Sequence, residues 1–140
     1  MDPRRQTIAD LLHRTAKRYP HKMGLVCGID THWDFARFDA VVDHVAAGLA
    51  AMGVSQGGRV AVLARNSHAF ATLRFALARI GAVLVPINFM LKAEEAAYIL
   101  RHAGAGVLAT DSGLAELAHA AAALDTQVKQ FVWLPSEEAS

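Results

Sequence analysis

The 140-residue sequence contains a single cysteine, and its formal net charge is only +1. Because Cys27 has no second cysteine to pair with, no disulfide forms within the chain, which fits a reducing cytoplasm. The near-neutral charge provides no basic surface of the kind that binds nucleic acid or an anionic membrane. We therefore expect a cytoplasmic protein with no nucleic-acid partner.

Long hydrophobic runs are also missing. The longest apolar stretch, IGAVLVPINFML, is too short to span a bilayer and contains Pro86. The first residues, MDPRRQTIADLL, include arginines but no apolar segment after them, so we predict no secretory signal. Together these features predict a soluble protein without a transmembrane segment.

Motifs for metal and phosphate binding are absent as well. The seven histidines are scattered, with no H-x-H or H-x-x-x-H pair, so we predict no metal site and expect surface or capping histidines. No G-x-x-x-x-G-K-[ST] loop occurs, and GAGVLA follows a helix rather than a strand, which predicts a helix end and a tight turn. In NSH, we expect Asn66 or Ser67 to cap a helix, since adjacent side chains do not readily form a nucleophile–base pair. The sequence therefore predicts no catalytic residue.

Apolar residues are abundant. They make up 54% of the chain, whereas charged residues make up only 19%, and this balance is high for an independent soluble domain. The excess predicts apolar surface that is covered by more chain or by a second subunit. We expect the isolated chain to self-associate.

Helical and strand patterns alternate along the chain. The predicted helices begin after Thr7, at Phe38, after Asn66 or Ser67, at Glu94 and at Gly113. The predicted strands are RVAVLA, AVLVPI, GVLAT and QFVWL. In addition, MGLVCG and THWDFA are predicted to form a hairpin around GID. This alternation predicts a three-layer α/β fold, with a mostly parallel sheet, helices on both faces and an N-terminal β-hairpin. Residues 1–140 are predicted to form a single α/β subdomain with a polar tail from 135 to 140.

The region from residue 33 to 43 concentrates aromatic and charged side chains. We interpret Trp33 and Phe35 as hairpin residues that pack on a neighbouring element. The charged residues are interpreted together as a solvated helix entrance: Asp34, Arg37, Asp39 and Asp43. Neither group is predicted to form an active site.

The order of these segments resembles the N-terminal region of the adenylate-forming (AMP-binding) acyl-CoA synthetases, which include the fatty-acid–CoA ligases. TIADLLHRTAKRYPHKMGLV is similar to the family's opening helix and strand, and THWDFARFDAVVDHVAAGLAAMGVSQGGRVAVLARNS is similar to its hairpin, long helix and second strand. FALARIGAVLVPINFMLKAEEAAYILRHAGAGVLAT is the most specific segment. The resemblance covers residues 7 to 134.

The resemblance implies an activity for a complete enzyme. The family forms an acyl-adenylate from a carboxylic acid and ATP with Mg²⁺, and then usually passes the acyl group to coenzyme A. Its phosphate-binding loop and the other catalytic residues lie further along than Ser140. We therefore expect an N-terminal fragment that is inactive alone and binds none of these cofactors tightly. Its expected partner is the remainder of the ligase chain. The expected substrate of the complete enzyme is a carboxylic acid, either fatty or aryl.

One short segment departs from the family's pattern. Members that use coenzyme A often have Asn-Pro-Arg-Leu where this chain has NFML, and in some of them the arginine contacts the nucleotide phosphates. Met90 cannot supply that charge, although Lys92 offers a point charge as a weak cofactor-binding candidate. Phe89 and Met90 either pack against another part of the large domain or line an apolar acyl pocket, and they are weak substrate-binding candidates.

A second class of function uses the same scaffold. In this alternative the chain is a stand-alone, non-catalytic α/β module for binding or interaction. The apolar excess favours the ligase fragment, because an incomplete sheet exposes an edge and faces that further chain covers.

Overall fold

The computed structural model describes residues 7–135. The elements in chain order are α1 (Ile8–Arg18), β1 (Met23–Cys27), β2 (Thr31–Asp34), α2 (Phe35–Ala51), β3 (Arg59–Leu63), α3 (His68–Arg79), β4 (Val83–Pro86), α4 (Ala93–Ala103), β5 (Val107–Asp111), a 3₁₀ turn (Ser112–Leu114), α5 (Ala115–Ala122) and β6 (Gln130–Leu134). The polar tail predicted from 135 onward lies outside the described residues, apart from Pro135. Within residues 7–135, no helix combines the length and the apolar character needed to cross a membrane.

Four strands form one parallel sheet in the order β4-β3-β5-β6. Val62 of β3 lies opposite Pro86 of β4 on one side and Ala109 of β5 on the other. Strands β1 and β2 form a separate antiparallel hairpin. The predicted α/β class, with a parallel sheet and an N-terminal hairpin, is confirmed.

The sheet separates two hydrophobic cores, which makes the fold three-layered. On one face, α1, α2, α3 and the hairpin pack around Val60 and Val62, whose side chains are fully buried. On the other face, α4 and α5 pack around Ala61, Leu63 and Leu108. Successive residues of a strand point to opposite faces, and each face of β3 contacts one of the two cores. The sequence of β3 is therefore a nearly continuous apolar run and does not alternate with polar residues.

The predicted start of α2 is three residues too late. The helix begins at Phe35 rather than Phe38, because the Asp34 side chain accepts a hydrogen bond of 2.8 Å from the Arg37 backbone N–H. Phe35 is therefore a helix residue and not part of the hairpin. It packs against Gly24, where an added Cβ would lie 2.9 Å from the Phe35 ring, so a side chain at position 24 would force the hairpin away from α2.

The last predicted helix is interrupted near its start. The chain forms the 3₁₀ turn after β5, and only then the α5 helix, because Asp111 caps the 3₁₀ turn. The predicted helix end in GAGVLA is observed: Gly104 ends α4 in the left-handed conformation, with φ of 66°, which glycine adopts without a Cβ clash.

The interpretation of a solvated helix entrance in α2 is wrong for Asp39. Its side chain is only 14% exposed and lies 2.8 Å from Nη2 of Arg79 at the end of α3. The same arginine donates to Asp43 Oδ1 at 2.6 Å and to the Ala9 carbonyl oxygen at 3.0 Å. Arg79 therefore joins α3 to both α1 and α2, a long-range contact that local sequence patterns do not reveal.

Helix α1 begins with a reciprocal cap that makes stability depend on pH. The Thr7 hydroxyl accepts a hydrogen bond from the Asp10 N–H, and the Asp10 carboxylate accepts one from the Thr7 N–H at 2.9 Å. This backbone hydrogen bond holds the pKa of Asp10 below its ordinary value of 3.8, against a smaller opposing effect of burial.

We expect the cap to weaken in acid. Since the folded pKa of Asp10 is lowered, its contribution is complete above about pH 4 and is lost as the pH falls through the folded pKa. Urea unfolding of the wild type and of Asp10→Asn should therefore show a stability difference at pH 6 that shrinks at pH 3. A difference that is equal at the two pH values would contradict this assignment.

Candidate functional site

The carboxyl ends of the parallel strands meet at one edge of the sheet. After β3 the chain turns to α3 on one face, whereas after the adjacent β5 it turns to α5 on the opposite face. Two adjacent strands whose connections leave to opposite faces form a topological switch point. In open α/β sheets, ligands bind in the crevice outside the carboxyl ends of the strands at such a switch point. The loops that follow β3, β4 and β5 are therefore the candidate functional edge of this chain.

Asp111 joins two of these loops. Its side chain is 2% exposed, and its Oδ2 accepts a hydrogen bond of 2.9 Å from the Arg65 backbone N–H beyond the end of β3. Its Oδ1 accepts a second one of 3.1 Å from the Leu114 N–H in the 3₁₀ turn. One buried carboxylate thus fixes the separation of the two chain segments that diverge at the switch point.

The hairpin extends this edge on the α3 side. A cavity of about 380 Å³ lies between the hairpin and the start of α3, and its lining includes Cys27, Gly28, Asn66 and His68. The cavity is open to solvent. Its lining combines polar side chains, such as those of Asn66 and His68, with apolar ones. The described residues contain no cluster of three or more side chains that could hold a metal ion.

Ser67 has the structural role that the sequence predicts. Its hydroxyl accepts a hydrogen bond of 3.1 Å from the Phe70 N–H and so caps α3. The neighbouring His68 is half-buried, and its ring meets that of Trp33 edge-on at 5.5 Å. Its Nδ1 is buried without a hydrogen-bond partner among the described residues, so His68 is not the surface or capping histidine that we expected. Trp33 packs on a neighbouring element, as predicted.

The loop between β4 and α4 carries the weak substrate-binding candidates. The Asn88 side chain accepts a hydrogen bond of 2.9 Å from the Met90 N–H, and the Asn88 carbonyl accepts one of 3.1 Å from Leu91. These bonds form a tight turn that points Phe89 and Met90 outward, and Met90 is 79% exposed. The structure therefore places both apolar side chains on the exposed loop that follows β4, at the carboxyl edge.

Lys92, the weak cofactor-binding candidate, follows directly after this turn. It is exposed and occupies the N-cap position of α4, where its backbone N–H donates to the Glu95 carboxylate at 3.2 Å. Its side chain makes no capping hydrogen bond. Lys92 thus lies on the same loop as Phe89 and Met90. The loop contains no arginine, whose planar guanidinium group binds phosphate through two parallel hydrogen bonds.

Sequence reasoning missed the role of Asp111. Its signal was present, since an aspartate directly after a buried strand and before a helical segment is a typical N-cap. The hydrogen bond to Arg65 was not predictable locally, because the two residues are 46 positions apart.

Comparisons with known proteins agree with this architecture. The family model for the AMP-binding enzymes matches residues 12–139. The putative acyl-CoA synthetase YngI of Bacillus subtilis is 37% identical over 103 residues, which are 73% of this chain and 19% of that protein. The 2,3-dihydroxybenzoate-AMP ligase of the same species is 35% identical over 111 residues, 72% of this chain and 20% of that protein.

A solved structure shows the same fold. The N-terminal domain of FACL13 from Mycobacterium tuberculosis superposes with a TM-score of 0.86 and 31% identity, over 91% of this chain and 34% of that one. The chain spans about a fifth of the length of the two curated relatives. The family match covers far more than half of these 140 residues, and the chain belongs to the family of AMP-binding enzymes.

Proposed function

We propose that this chain is the first part of the N-terminal domain of an ATP-dependent acid–CoA ligase. The complete enzyme activates a carboxylic acid as its acyl-adenylate with ATP and Mg²⁺ and then forms a thioester with coenzyme A. The observation that carries the proposal is the family match over residues 12–139 by a chain that spans only about a fifth of its relatives. The 140 residues supply scaffold and one wall of the cleft, and they are inactive alone.

The partner of the carboxyl edge is the remainder of the ligase chain. Asp111 holds the loops after β3 and β5 at a fixed separation, which gives that remainder a rigid surface to pack on. The apolar pair Phe89 and Met90 is exposed at the same edge. Exposed apolar side chains on a rigid turn favour contact with another apolar surface, either the large domain or the chain of a fatty or aryl acid.

Lys92 is proposed as a weak electrostatic contact for coenzyme A. Its exposed ammonium group is a mobile point charge, which attracts a phosphate without fixing its orientation. Replacing Lys92 with an uncharged residue should therefore raise the KM for coenzyme A modestly in the complete enzyme. The kcat for adenylate formation should stay unchanged.

The proposed location is the reducing cytoplasm. The support is the composition, since a chain with one cysteine forms no internal disulfide. Without the remainder of the ligase, we propose that the chain self-associates through the apolar surface left uncovered.

Carboxylate-dependent exchange of pyrophosphate into ATP tests the proposed function. The 140-residue chain and a chain extended by the downstream coding sequence would be assayed in parallel with a panel of fatty and aryl acids. We expect exchange with the extended chain alone. Exchange by the 140 residues alone would contradict the scaffold assignment, and a folded extended chain without exchange on any acid would contradict the ligase assignment.

A further inference from the structure

The carboxyl end of β5 places two buried polar side chains at the switch point. Thr110 is fully buried and Asp111 is 2% exposed, and both follow three buried apolar residues of the same strand. Burying a polar side chain is costly unless hydrogen bonds compensate for the lost water. For Asp111 two backbone groups do so, since Oδ1 accepts from the Leu114 N–H and Oδ2 accepts from the Arg65 N–H. The side chain therefore caps the 3₁₀ turn and also bridges to the loop after β3.

The cap alone does not require an aspartate. Ser67 caps α3 from an extended backbone, and its hydroxyl accepts from the N–H three residues further on at 3.1 Å. Asp111 is also extended and accepts from the N–H of Leu114, three residues further on, at the same distance. A serine at position 111 would keep this bond, but it has no second side-chain oxygen for the Arg65 N–H. The bridge through Oδ2 is thus the specific contribution of the aspartate.

The bridge lies where an open α/β sheet binds its ligand. The two segments that Asp111 joins leave adjacent strands toward opposite faces, and nucleotides commonly occupy the crevice at such a point. The Arg65 side chain extends to the same turn, since a Cβ built on Gly113 would lie 3.9 Å from Arg65 Cζ. A planar guanidinium group is suited to phosphate. Among the ligands of the proposed ligase, these features favour ATP, the nucleotide used in adenylate formation.

We propose that Asp111 is a positioning residue for ATP in the complete ligase. Through Oδ2 it holds the loop of Arg65 at a fixed distance from the 3₁₀ turn, so the crevice is formed before ATP enters. Asp111 itself does not contact the nucleotide. Without the bridge the loop is mobile, and ATP has to order it on binding. This inference rests on the proposed function and adds to it the residue that prepares the crevice.

Asp111→Ser separates the bridge from the cap. The variant would be made in the chain extended by the downstream coding sequence and assayed by carboxylate-dependent pyrophosphate exchange and by thioester formation. Ordering one mobile backbone residue on binding corresponds to about a tenfold loss of affinity, so we expect the KM for ATP to rise about tenfold. The kcat for adenylate formation and the KM for coenzyme A should stay unchanged. Amide hydrogen exchange should accelerate at Arg65 more than at Leu114.

Arg79→Ala is the matched control for a general loss of stability. Arg79 also makes buried long-range hydrogen bonds, but at the opposite end of α3, to Asp39 and to the Ala9 carbonyl oxygen. At a temperature where circular dichroism shows all variants folded, Arg79→Ala should leave the KM for ATP unchanged. If Asp111→Ser does not fold, Asp111→Asn, which keeps the side-chain shape but has one acceptor oxygen, is assayed in its place with the same expected result.

The outcomes separate this inference from the proposed function. An unchanged KM for ATP in the Asp111 variant, an equal rise in Arg79→Ala, or a rise confined to coenzyme A would overturn the positioning role and leave the ligase assignment intact. A folded, extended wild-type chain that shows no exchange with any acid would contradict the proposed function, and this inference with it.

Discussion

Replacing Arg79 with alanine is expected to lower the free energy of unfolding by about 2–4 kcal/mol. The largely buried guanidinium donates to the Asp39 carboxylate at 2.8 Å and to the Ala9 carbonyl oxygen at 3.0 Å. Its removal leaves the largely buried Asp39 with His13 as its remaining polar partner, at 2.9 Å, and removes the hydrogen bonds that join α3 to α1 and α2. Such a loss is a large fraction of the total stability of a domain of this size.

Matched substitutions distinguish this contact from a general loss of charge. Arg79→Lys keeps the positive charge but not the planar fork, so we expect an intermediate loss. Asp43→Ala removes an exposed partner of the same arginine and should cost about 1 kcal/mol or less. Urea unfolding at pH 7 measures all three, and an Arg79→Ala loss no greater than that of Asp43→Ala would contradict the account.

Replacing Asp111 with alanine should destabilise the chain by about 2–5 kcal/mol, because two backbone N–H groups lose their acceptor in the interior. These are the N–H groups of Arg65 and Leu114. Asp111→Asn should also be costly, since the amide has one oxygen and its NH₂ group faces the second donor. Both variants should loosen the loops at the carboxyl edge, and amide hydrogen exchange at Arg65 and Leu114 should accelerate.

The control for Asp111 is an acid of the same charge on the surface. Glu116→Ala removes an exposed carboxylate from the first turn of α5 and should change stability by less than about 1 kcal/mol. Urea unfolding and hydrogen exchange of the three variants give the comparison. If Asp111→Ala behaves like Glu116→Ala, the buried carboxylate does not hold the two loops together.

Much of the fold is predictable from local patterns. Strand β3 is recognisable because its sequence contains a compact apolar run, VAVL, which the structure buries completely. Helix α3 is recognisable because Ser67 supplies a cap and Gly81 follows its end. Boundaries were less predictable where a polar side chain has two roles. Asp34 ends a strand and caps α2, and the aromatic Phe35 that follows it reads equally well as strand or helix.

The candidate edge was only partly predictable, for a different reason. Phe89, Met90 and Lys92 are neighbours in sequence, so their placement on one loop follows from the turn at Asn88. The Asp111–Arg65 and Arg79–Asp39 contacts join residues 46 and 40 positions apart, and they depend on the tertiary arrangement. No periodicity or capping rule encodes such contacts in a single sequence.

The coding sequence downstream of Ser140 tests the central claim most directly. The claim is that these residues are the opening part of an AMP-forming ligase rather than a module that functions alone. We predict that the reading frame continues and encodes, within a few dozen codons, the family's phosphate-binding loop, which the resemblance implies to be rich in serine, threonine and glycine and to end in Pro-Lys. A stop codon directly after Ser140 would contradict the claim and leave a binding module with the scaffold of a ligase.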